Sequence, residues 1–318
     1  MGNALVDVLI RVENESLLES LGLPKGSMQL VDEARMGEIL TATRGLPVTL
    51  VAGGSAANTI HGLAELGVSA GFVGSAGWDE WGEFYINDLQ SKGIKPIFHR
   101  PGKPTGRANA LLTPDGERTF GTYLGAAIEL EPDFLTPEMF RGWKVFHIEG
   151  YLVQNHGLIR RALELAREAG CRISLDLASY NVVEDNLGFL KEVIPAYVDI
   201  VFANQEEALA FCGLEPEEAV HYLASLCDIA IVKTGKDGAW IQSRNEKIAV
   251  PGLEANCIDT TGAGDLFAAG FLYRWLAGYP LRECGEYGNL LASKVIEVVG
   301  PKIQPETWKI IKADIKKA

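Results

Sequence analysis

The chain has 318 residues, of which 47% are hydrophobic and 22% are charged. Both fractions are close to the globular average, so they exclude a disordered chain, a coiled coil and a collagen. Lysine and arginine number 29 against 42 aspartates and glutamates, and the net charge of −13 excludes the basic surface that is typical of nucleic-acid-binding proteins. A small, diffusible substrate is easier to reconcile with this acidic composition.

The cysteine and leader patterns predict a cytoplasmic protein without a disulfide framework. The five cysteines are an odd number, and no two of them have the C-x-x-C spacing of a redox or zinc motif. No run of 18 apolar residues occurs, and the N-terminus lacks the basic region of a signal peptide, so we expect no membrane partner.

Short apolar runs, glycine-rich turns and amphipathic stretches alternate along most of the chain. This rhythm is typical of βα units, in which buried parallel strands alternate with crossover helices, and it predicts an α/β fold with a doubly wound parallel sheet. Residues 4–12 also resemble a strand, but no helical pattern follows them directly. The pattern places strands at 48–52, 70–73, 145–149, 172–177, 200–203 and 230–233, and helices at 56–66, 79–91, 157–169 and 205–211.

Two segments predict hairpins instead of βα units. Residues 106–124 contain two strand-like runs around the turn sequence Pro-Asp-Gly at 114–116, and such an insertion suggests a small lid. A second hairpin is predicted at 239–250. Because we find neither a repeat nor a linker, we expect a single domain over residues 1–318. Two helices are predicted near the end, at 263–277 and 281–299.

The sharpest motif is Asp-Thr-Thr-Gly-Ala-Gly-Asp at residues 259–265, directly before an apolar helix. Gly262 and Gly264 permit a tight turn with bare N–H groups at the positive end of the helix dipole, which suits a phosphate. Asp265 has two interpretations. It is either an ordinary acid of the first helical turn or a carboxylate that accepts a proton from an attacking hydroxyl beside a phosphate site.

Other catalytic motifs do not occur in the sequence. There is no G-x-x-x-x-G-K-[ST] phosphate loop, and the third glycine of a dinucleotide fingerprint is missing. The nucleophile elbow G-x-S-x-G is missing as well. These observations argue against a P-loop protein, an NAD enzyme and an α/β hydrolase.

The motif at 259–265, together with Gly-Gly-Ser-Ala-Ala-Asn at 53–58, resembles the ribokinase (PfkB) family of sugar and nucleoside kinases. Three further segments match the family in the same order along the chain: Gly-Asn-Ala-Leu-Val-Asp at 2–7, Asn-Gln-Glu-Glu at 204–207 and Lys-Thr-Gly-Lys-Asp-Gly at 233–238.

The resemblance covers nearly the whole chain and implies the architecture of the family. This is a ribokinase-like three-layer sandwich, in which a mostly parallel central sheet is flanked by helices. A small β lid would be formed by the segments at about 4–31 and 95–126. The chain departs from the family at the first strand, which would precede Gly2 and is nearly absent here.

The resemblance also implies the chemistry of an ATP-dependent kinase. Asp265 would be the general base for the hydroxyl of the acceptor. The backbone N–H groups of Gly262, Ala263 and Gly264 would form the hole for the transferring phosphoryl group. We expect ATP and Mg²⁺ as the cofactors.

Four residues are metal candidates in the same family pattern. Asn204 and Glu207 would hold Mg²⁺ through water, although the same pair also fits a helix N-cap with a capping-box glutamate. Asp259 and Thr261 lie where many relatives bind a monovalent cation, so K⁺ is a further candidate.

For the acceptor, the family pattern implicates Asn3, Asp7, Gly54 and Asn58. Asp7 lies inside an apolar run and needs a partner, which substrate hydroxyls, an arginine or backbone amides would supply. Asn58 could also be merely an N-terminal helix residue. Arg118, in the lid hairpin, would reach the active site on closure or remain a solvated charge.

The ATP candidates come from the turn after a strand and from the last predicted helix. The turn would contact phosphates and ribose, and the helix would supply an adenine contact, unless its asparagine is simply exposed. These candidates are Thr234, Gly235, Gly238 and Asn289.

Within the family, the local motifs are similar to the adenosine kinase branch. That likeness implies a purine under the lid, although the same residues would also serve lid packing. The alternatives are a sugar kinase of the fructokinase or ribokinase type and, more remotely, a non-catalytic nucleotide- or sugar-binding protein. The chain would be a monomer or a homodimer. The residues expected to face the base are Met28, Leu30, Leu124, Ala126 and Tyr151.

Overall fold

A computed structural model describes residues 1–115 and 117–315. At residues 314 and 315 it describes the backbone but not the side chains. Gly116, the glycine of the predicted lid turn, lies outside the described residues. The strands are β1 (Leu5–Arg11), β2 (Met28–Leu30), β3 (Val48–Gly53), β4 (Gly71–Ser75), β5 (Lys95–His99), β6 (Gly106–Leu112), β7 (Arg118–Tyr123), β8 (Val145–Glu149), β9 (Arg172–Asp176), β10 (Ile200–Asn204), β11 (Ile229–Lys233), β12 (Ala239–Ser243) and β13 (Lys247–Val250). The helices are α1 (Ser16–Ser20), α2 (Glu33–Ala42), α3 (Ser55–Glu65), α4 (Glu80–Ser91), α5 (His156–Glu168), α6 (Tyr180–Asp185), α7 (Leu187–Tyr197), α8 (Gln205–Cys212), α9 (Pro216–Ala224), α10 (Ala263–Leu276), α11 (Leu281–Val295) and α12 (Pro305–Ile315).

A six-stranded sheet in the order β13-β12-β11-β10-β9-β8 forms the centre of the molecule. Strands β8 to β11 are parallel to one another, and their continuous apolar runs are buried between helices on both faces. The predicted hairpin at 239–250 adds β12 and β13 in antiparallel pairing. Because the parallel strands end at one edge, their last residues lie side by side there.

A separate two-stranded sheet contains β4 and β5, also parallel. The predicted central sheet is therefore divided, and among the described residues the first ones of the chain link its two parts through the backbone. The N-terminal amine of Met1 donates to the carbonyl oxygen of His147 in β8 at 2.6 Å. The N–H of Gly2 donates to the carbonyl oxygen of Val73 in β4 at 3.2 Å. An apolar cavity of about 500 Å³ lies next to this link, lined by β4, β8, α3 and α10.

The lid is a five-stranded sheet in the order β2-β7-β6-β1-β3. Its centre is the predicted hairpin, since β6 and β7 pair antiparallel from Arg107 with Tyr123 to Leu112 with Arg118. Two of the predicted lid boundaries need correction. Strand β3 pairs antiparallel with β1 and belongs to the lid rather than to a βα unit, whereas β5 pairs with β4 outside the lid.

Helices α10 and α11 pack against each other and against β10 to β13 around Phe202, Phe267 and Phe271. Helix α11 ends at Val295, four residues before the predicted end. Within the described ranges, no helix is both long enough and apolar enough to cross a lipid bilayer.

Candidate active site

Three charged or polar residues end neighbouring strands at the carboxyl edge of the six-stranded sheet. Asp176 is the last residue of β9, Asn204 of β10 and Lys233 of β11, and Asn204 lies directly opposite Lys233 in the ladder. The Lys233 ammonium donates to the Asp176 carboxylate at 2.8 Å. The sheet therefore gathers these groups where parallel sheets commonly bind ligands.

Helix α10 begins directly above this edge. Gly262 is its N-cap, with a φ of 79° in the left-handed region that favours glycine. Ala263 donates its N–H to the carbonyl oxygen of Thr260 at 3.1 Å. Among the described residues, the N–H groups of Gly262 and Gly264 meet no acceptor. The predicted phosphoryl hole thus has two uncommitted donors and one donor that is engaged in a turn.

The Asp265 carboxylate is held from the side of helix α3. Its Oδ1 accepts from the Ser55 hydroxyl at 2.7 Å, and its Oδ2 accepts from the Asn58 amide at 2.8 Å. Burial raises its pKa to about 6, although these hydrogen bonds and the charge of Lys233 lower it. A carboxylate with this pKa is ionised at neutral pH and still basic enough to accept a proton from a hydroxyl.

Glu149, which no motif had indicated, fixes the segment that carries the acceptor candidates. Its Oε1 accepts from both the backbone N–H and the side-chain amide of Asn3 at 2.8 Å, and its Oε2 accepts from the N–H of Ala56 at 2.9 Å. Between these contacts, Gly54 has a φ of 96°, and a Cβ there would collide with the Asn3 carbonyl oxygen. Only glycine therefore fits this turn.

Asp7 lies on the lid face that points towards this segment, next to Gly53. Of the residues that the structure describes, none donates a hydrogen bond to its carboxylate, so neither the arginine nor the backbone amides considered above partner it. Burial raises its pKa to about 7, against the opposing charges of Lys302 and Arg118. The carboxylate is therefore available for a ligand with hydroxyl donors.

Asp7→Asn should stabilise the free protein at alkaline pH. The folded pKa of about 7 lies above the ordinary aspartate pKa of 3.8, so the ionised carboxylate destabilises the fold above about pH 7, and this effect disappears as the pH falls towards 4. We expect a gain of about 2–4 kcal/mol at pH 8 and none at pH 4, measured by chemical denaturation. Asp88→Asn is the matched control, because His61 and Lys302 lower the pKa of Asp88 to about 2, and its loss should destabilise the protein at pH 8. Equal effects of both substitutions would contradict the prediction.

Asn204 and Glu207 form the capping box that the sequence allowed. Glu207 accepts from the Asn204 backbone N–H at 2.8 Å and from its side-chain amide at 2.7 Å, and Asn204 accepts from the Glu207 N–H at 2.8 Å. Burial and the nearby Asp176 raise the pKa of Glu207 to about 7, although Lys233 lowers it. Two carboxylates beside a polar edge suit a hard cation that keeps its waters.

Asp259 and Thr261 meet the lid. The Arg118 guanidinium donates to Asp259 Oδ2 at 2.6 Å and to the Thr261 hydroxyl at 3.1 Å, so its side chain is not a solvated hairpin charge. Asp259 Oδ1 accepts from Thr261, and its Oδ2 also accepts from the N–H of Gly300. These donors outweigh burial and lower the pKa of Asp259. In the described ranges, no group of three or more His, Cys, Asp and Glu is arranged to hold a metal.

The predicted nucleotide turn connects β11 and β12. Thr234 donates its N–H to the Gly238 carbonyl oxygen at 2.8 Å, which closes the turn. Asn289 lies on α11 and donates to the Pro251 carbonyl oxygen at 2.8 Å. It is only 7% exposed, so the alternative of an exposed helix asparagine is wrong. The loop around Pro251, which accepts this hydrogen bond, lies beside Gly238.

Gly238→Ala should disrupt this turn, whereas Gly235→Ala should not. Gly238 has a φ of 101°, and a Cβ there would collide with the Val250 carbonyl oxygen. Gly235 has a φ of 61° and no atom within 4 Å of an added Cβ. We expect Gly235→Ala to lower the free energy of unfolding by about 1–2 kcal/mol and Gly238→Ala to lower it by clearly more. Equal losses in urea denaturation would show that the collision does not matter.

The residues predicted to face a base do not lie in one environment. Tyr151 is 39% exposed, and Leu124 is half-buried. Met28 and Leu30 are exposed on the edge strand β2 of the lid. Ala126 is fully buried and donates its N–H to the Pro104 carbonyl oxygen, so its side chain is packed inside the protein.

Sequence reasoning missed four members of the site: Ser55, Glu149, Asp176 and Lys233. Ser55 lies in the Gly-Gly-Ser-Ala-Ala-Asn motif at 53–58, but the motif predicted no role for it. The other three each end a buried apolar strand with a charge. That signal was available, because a charged last residue of a parallel strand lies at the ligand-binding edge.

The model of the pfkB family of carbohydrate kinases matches residues 33–308. The chain is 34% identical to a crystal structure of adenosine kinase from Sinorhizobium meliloti, with a TM-score of 0.86 and coverage of 100% of this chain and 98% of that chain. It is also 34% identical to a probable sugar kinase protein from Rhizobium etli CFN 42, with a TM-score of 0.87 and coverage of 98% and 96%.

The alignment with an adenosine kinase of Saccharomyces cerevisiae has 30% identity over 332 positions, and it covers 96% of each chain. The ribokinase-like α/β fold and the resemblance predicted from the motifs are confirmed by these matches. The chain belongs to the pfkB family of carbohydrate kinases.

Proposed function

We propose that the chain is an ATP-dependent kinase whose acceptor is adenosine or a closely related nucleoside, phosphorylated on its 5′-hydroxyl. Its family and its relatives support phosphoryl transfer to a hydroxyl. The observation that carries the proposal is the position of Asp265, held by Ser55 and Asn58 next to the two uncommitted N–H groups at the start of α10.

The mechanism uses Asp265 and the helix terminus together. The acceptor oxygen attacks the γ-phosphorus in line while the bond from that phosphorus to the β,γ-bridging oxygen breaks, and the electron pair stays on ADP. Asp265 accepts the hydroxyl proton. The N–H groups of Gly262 and Gly264 stabilise the charge on the transferring group, and such donors typically contribute about 3–4 kcal/mol to the transition state.

Magnesium fits beside Glu207 and Asp176, whose carboxylates would hold it through water. When bound, it would neutralise charge on the triphosphate. K⁺ fits poorly at Asp259 and Thr261 in this arrangement, because the Arg118 guanidinium already neutralises Asp259 and both carboxylate oxygens accept hydrogen bonds from the protein. We derive no step through K⁺.

The acceptor would lie between the lid face and Asp265. Asp7 offers a carboxylate to which no described residue donates a hydrogen bond, and it lies close enough to Asp265 for the charge of Asp265 to raise the pKa of Asp7. The side-chain oxygens of Asn3 and Asn58 are buried and accept no hydrogen bond from the described residues. Ribose hydroxyls would supply the donors that these three acceptor groups lack.

A purine would contact Tyr151 and Leu124, since an aromatic ring and an aliphatic side chain suit a flat base. The chain would be a monomer or a homodimer. In a homodimer, the exposed Met28 and Leu30 on edge strand β2 would form the surface through which two copies meet. All five cysteines are free, which supports a reducing compartment such as the cytoplasm.

The test is ADP release with ATP, Mg²⁺ and a panel of nucleosides and free sugars. We expect turnover with adenosine and little with fructose or ribose. Turnover with a sugar alone would replace the nucleoside by a sugar acceptor and discard the purine contacts. ADP release that does not depend on any added alcohol would contradict the kinase proposal.

A further inference from the structure

We propose that Lys233 contacts the transferring phosphoryl group directly and that Asp176 positions it for this contact. The inference rests on the proposed function and adds a residue to it. Lys233 ends β11 directly before the nucleotide turn, and nothing in the motifs assigned it a role.

The geometry places the Lys233 ammonium at the mouth of the phosphoryl hole. A Cβ added to Gly264 would lie 3.0 Å from Nζ, so the ammonium lies directly against the backbone that supplies one of the two free N–H donors. Its side chain is 14% exposed and that of Asp176 is 8% exposed. A group bound at the N–H of Gly264 would therefore be within reach of the ammonium.

Lys233 also keeps hydrogen-bonding capacity for a ligand. An ammonium has three donors, and within the described part of the chain it donates only to Asp176. Two donors remain. The carboxylate partner holds the flexible side chain in place, so the donors are oriented before the ligand arrives.

The charge balance of the edge gives this cation its importance. Asp176, Glu207 and Asp265 all interact electrostatically with Lys233, so one positive charge faces three acids. The helix terminus adds only about half a charge. A triphosphate carries several negative charges, so a fixed cation at this point, together with the Mg²⁺ proposed above, offsets the repulsion from these acids.

The same electrostatics couple Lys233 to the base. Lys233 lowers the pKa of Asp265, whereas Asp176 raises it. Removing the ammonium should therefore raise the pKa of Asp265 and move the acidic limb of the activity profile to higher pH. If Lys233 only held β9 and β11 together, its removal would not both shift the acidic limb and weaken binding of the ATP analogue more than binding of ADP.

The experiment compares Lys233→Met with the control Lys309→Met, which changes an exposed lysine of α12, outside the nucleotide turn. Binding of ADP and of the non-hydrolysable β,γ-methylene analogue of ATP, each with Mg²⁺, is measured by calorimetry. For Lys233→Met we expect at least a tenfold loss of affinity for the analogue, a smaller loss for ADP and a fall in kcat of about 100-fold or more. For Lys309→Met we expect changes below about threefold.

Equal loss for ADP and the analogue, or unchanged analogue affinity with an unmoved acidic limb, would overturn the role of Lys233. Should Lys233→Met fail to fold, Lys233→Gln gives the same comparison with a polar side chain. Because the binding measurement needs no acceptor, it decides the role of Lys233 even if the activity panel fails. A wild-type chain that binds the analogue but phosphorylates nothing would instead contradict the acceptor proposal.

Discussion

Asp265→Asn should reduce kcat by about 10²–10⁴-fold while the protein stays folded. The carboxylate is the proposed acceptor of the hydroxyl proton, and an amide cannot take that role. The wild-type acidic limb should follow the Asp265 pKa of about 6, with activity lost as the pH falls through that value. The measurement is initial-rate ADP release across pH, together with circular dichroism of both proteins.

The surroundings of Asp265 explain why the fold should survive. The amide oxygen of the variant can still accept from Ser55. A flip of the Asn58 side-chain amide lets its oxygen, which has no partner among the described residues, accept from the new NH₂. Ser55→Ala is the control, since it removes one orienting hydrogen bond and keeps the carboxylate. We expect it to lose far less activity. An Asp265→Asn enzyme with more than about a tenth of the wild-type kcat would remove Asp265 from the role of base.

Glu149→Ala should be the most destabilising substitution at the site. Three donors, the N–H and amide of Asn3 and the N–H of Ala56, would lose their only shared acceptor in a region where Glu149 is 1% exposed. Each buried donor left without a partner costs about 1–3 kcal/mol, so we expect a loss of about 3–5 kcal/mol in the free energy of unfolding. Chemical denaturation at neutral pH measures it.

The same substitution should weaken binding of the acceptor but not binding of the nucleotide. Asn3 and the turn around Gly54 would lose their anchor, so KM for the acceptor should rise. The affinity for ADP should change little, because the nucleotide turn at 234–238 makes no contact with Glu149 in the described structure. Glu149→Gln is the comparison, since it keeps one acceptor and should give an intermediate loss. An unchanged denaturation midpoint with unchanged KM would show that Glu149 does not hold this segment.

The sequence predicts the parallel part of the fold well and the lid less well. Strands β8 to β11 are buried on both faces, so their apolar runs are unambiguous. Strand β3 was also an apolar run before a glycine turn, yet it pairs antiparallel with β1 in the lid. Local patterns do not identify the partner of a strand, and β2, with only three residues, carries no pattern at all.

The site shows the same division between local and long-range information. The turn at Gly262 and the capping box at Asn204 follow from neighbouring residues, and motif spacing reveals them. The contacts of Asp265 with Ser55 and of Glu149 with Asn3 join residues that are far apart in the chain. Such contacts depend on how the sheets and helices pack, and local patterns in one sequence do not reveal that packing.

The ion pair between Arg118 and Asp259 joins the lid to the loop directly before α10, and both side chains are 12% exposed. Being mostly buried, it is screened by salt much less than an exposed pair. The proposed acceptor lies between the lid face and Asp265, so moving the lid away from α10 at this point requires the pair to break. The rate of capture is then scaled by the fraction of time that the lid is open, and escape waits for the same event. In the proposed arrangement, one charge pair therefore slows entry and release together and lengthens the residence time of the acceptor.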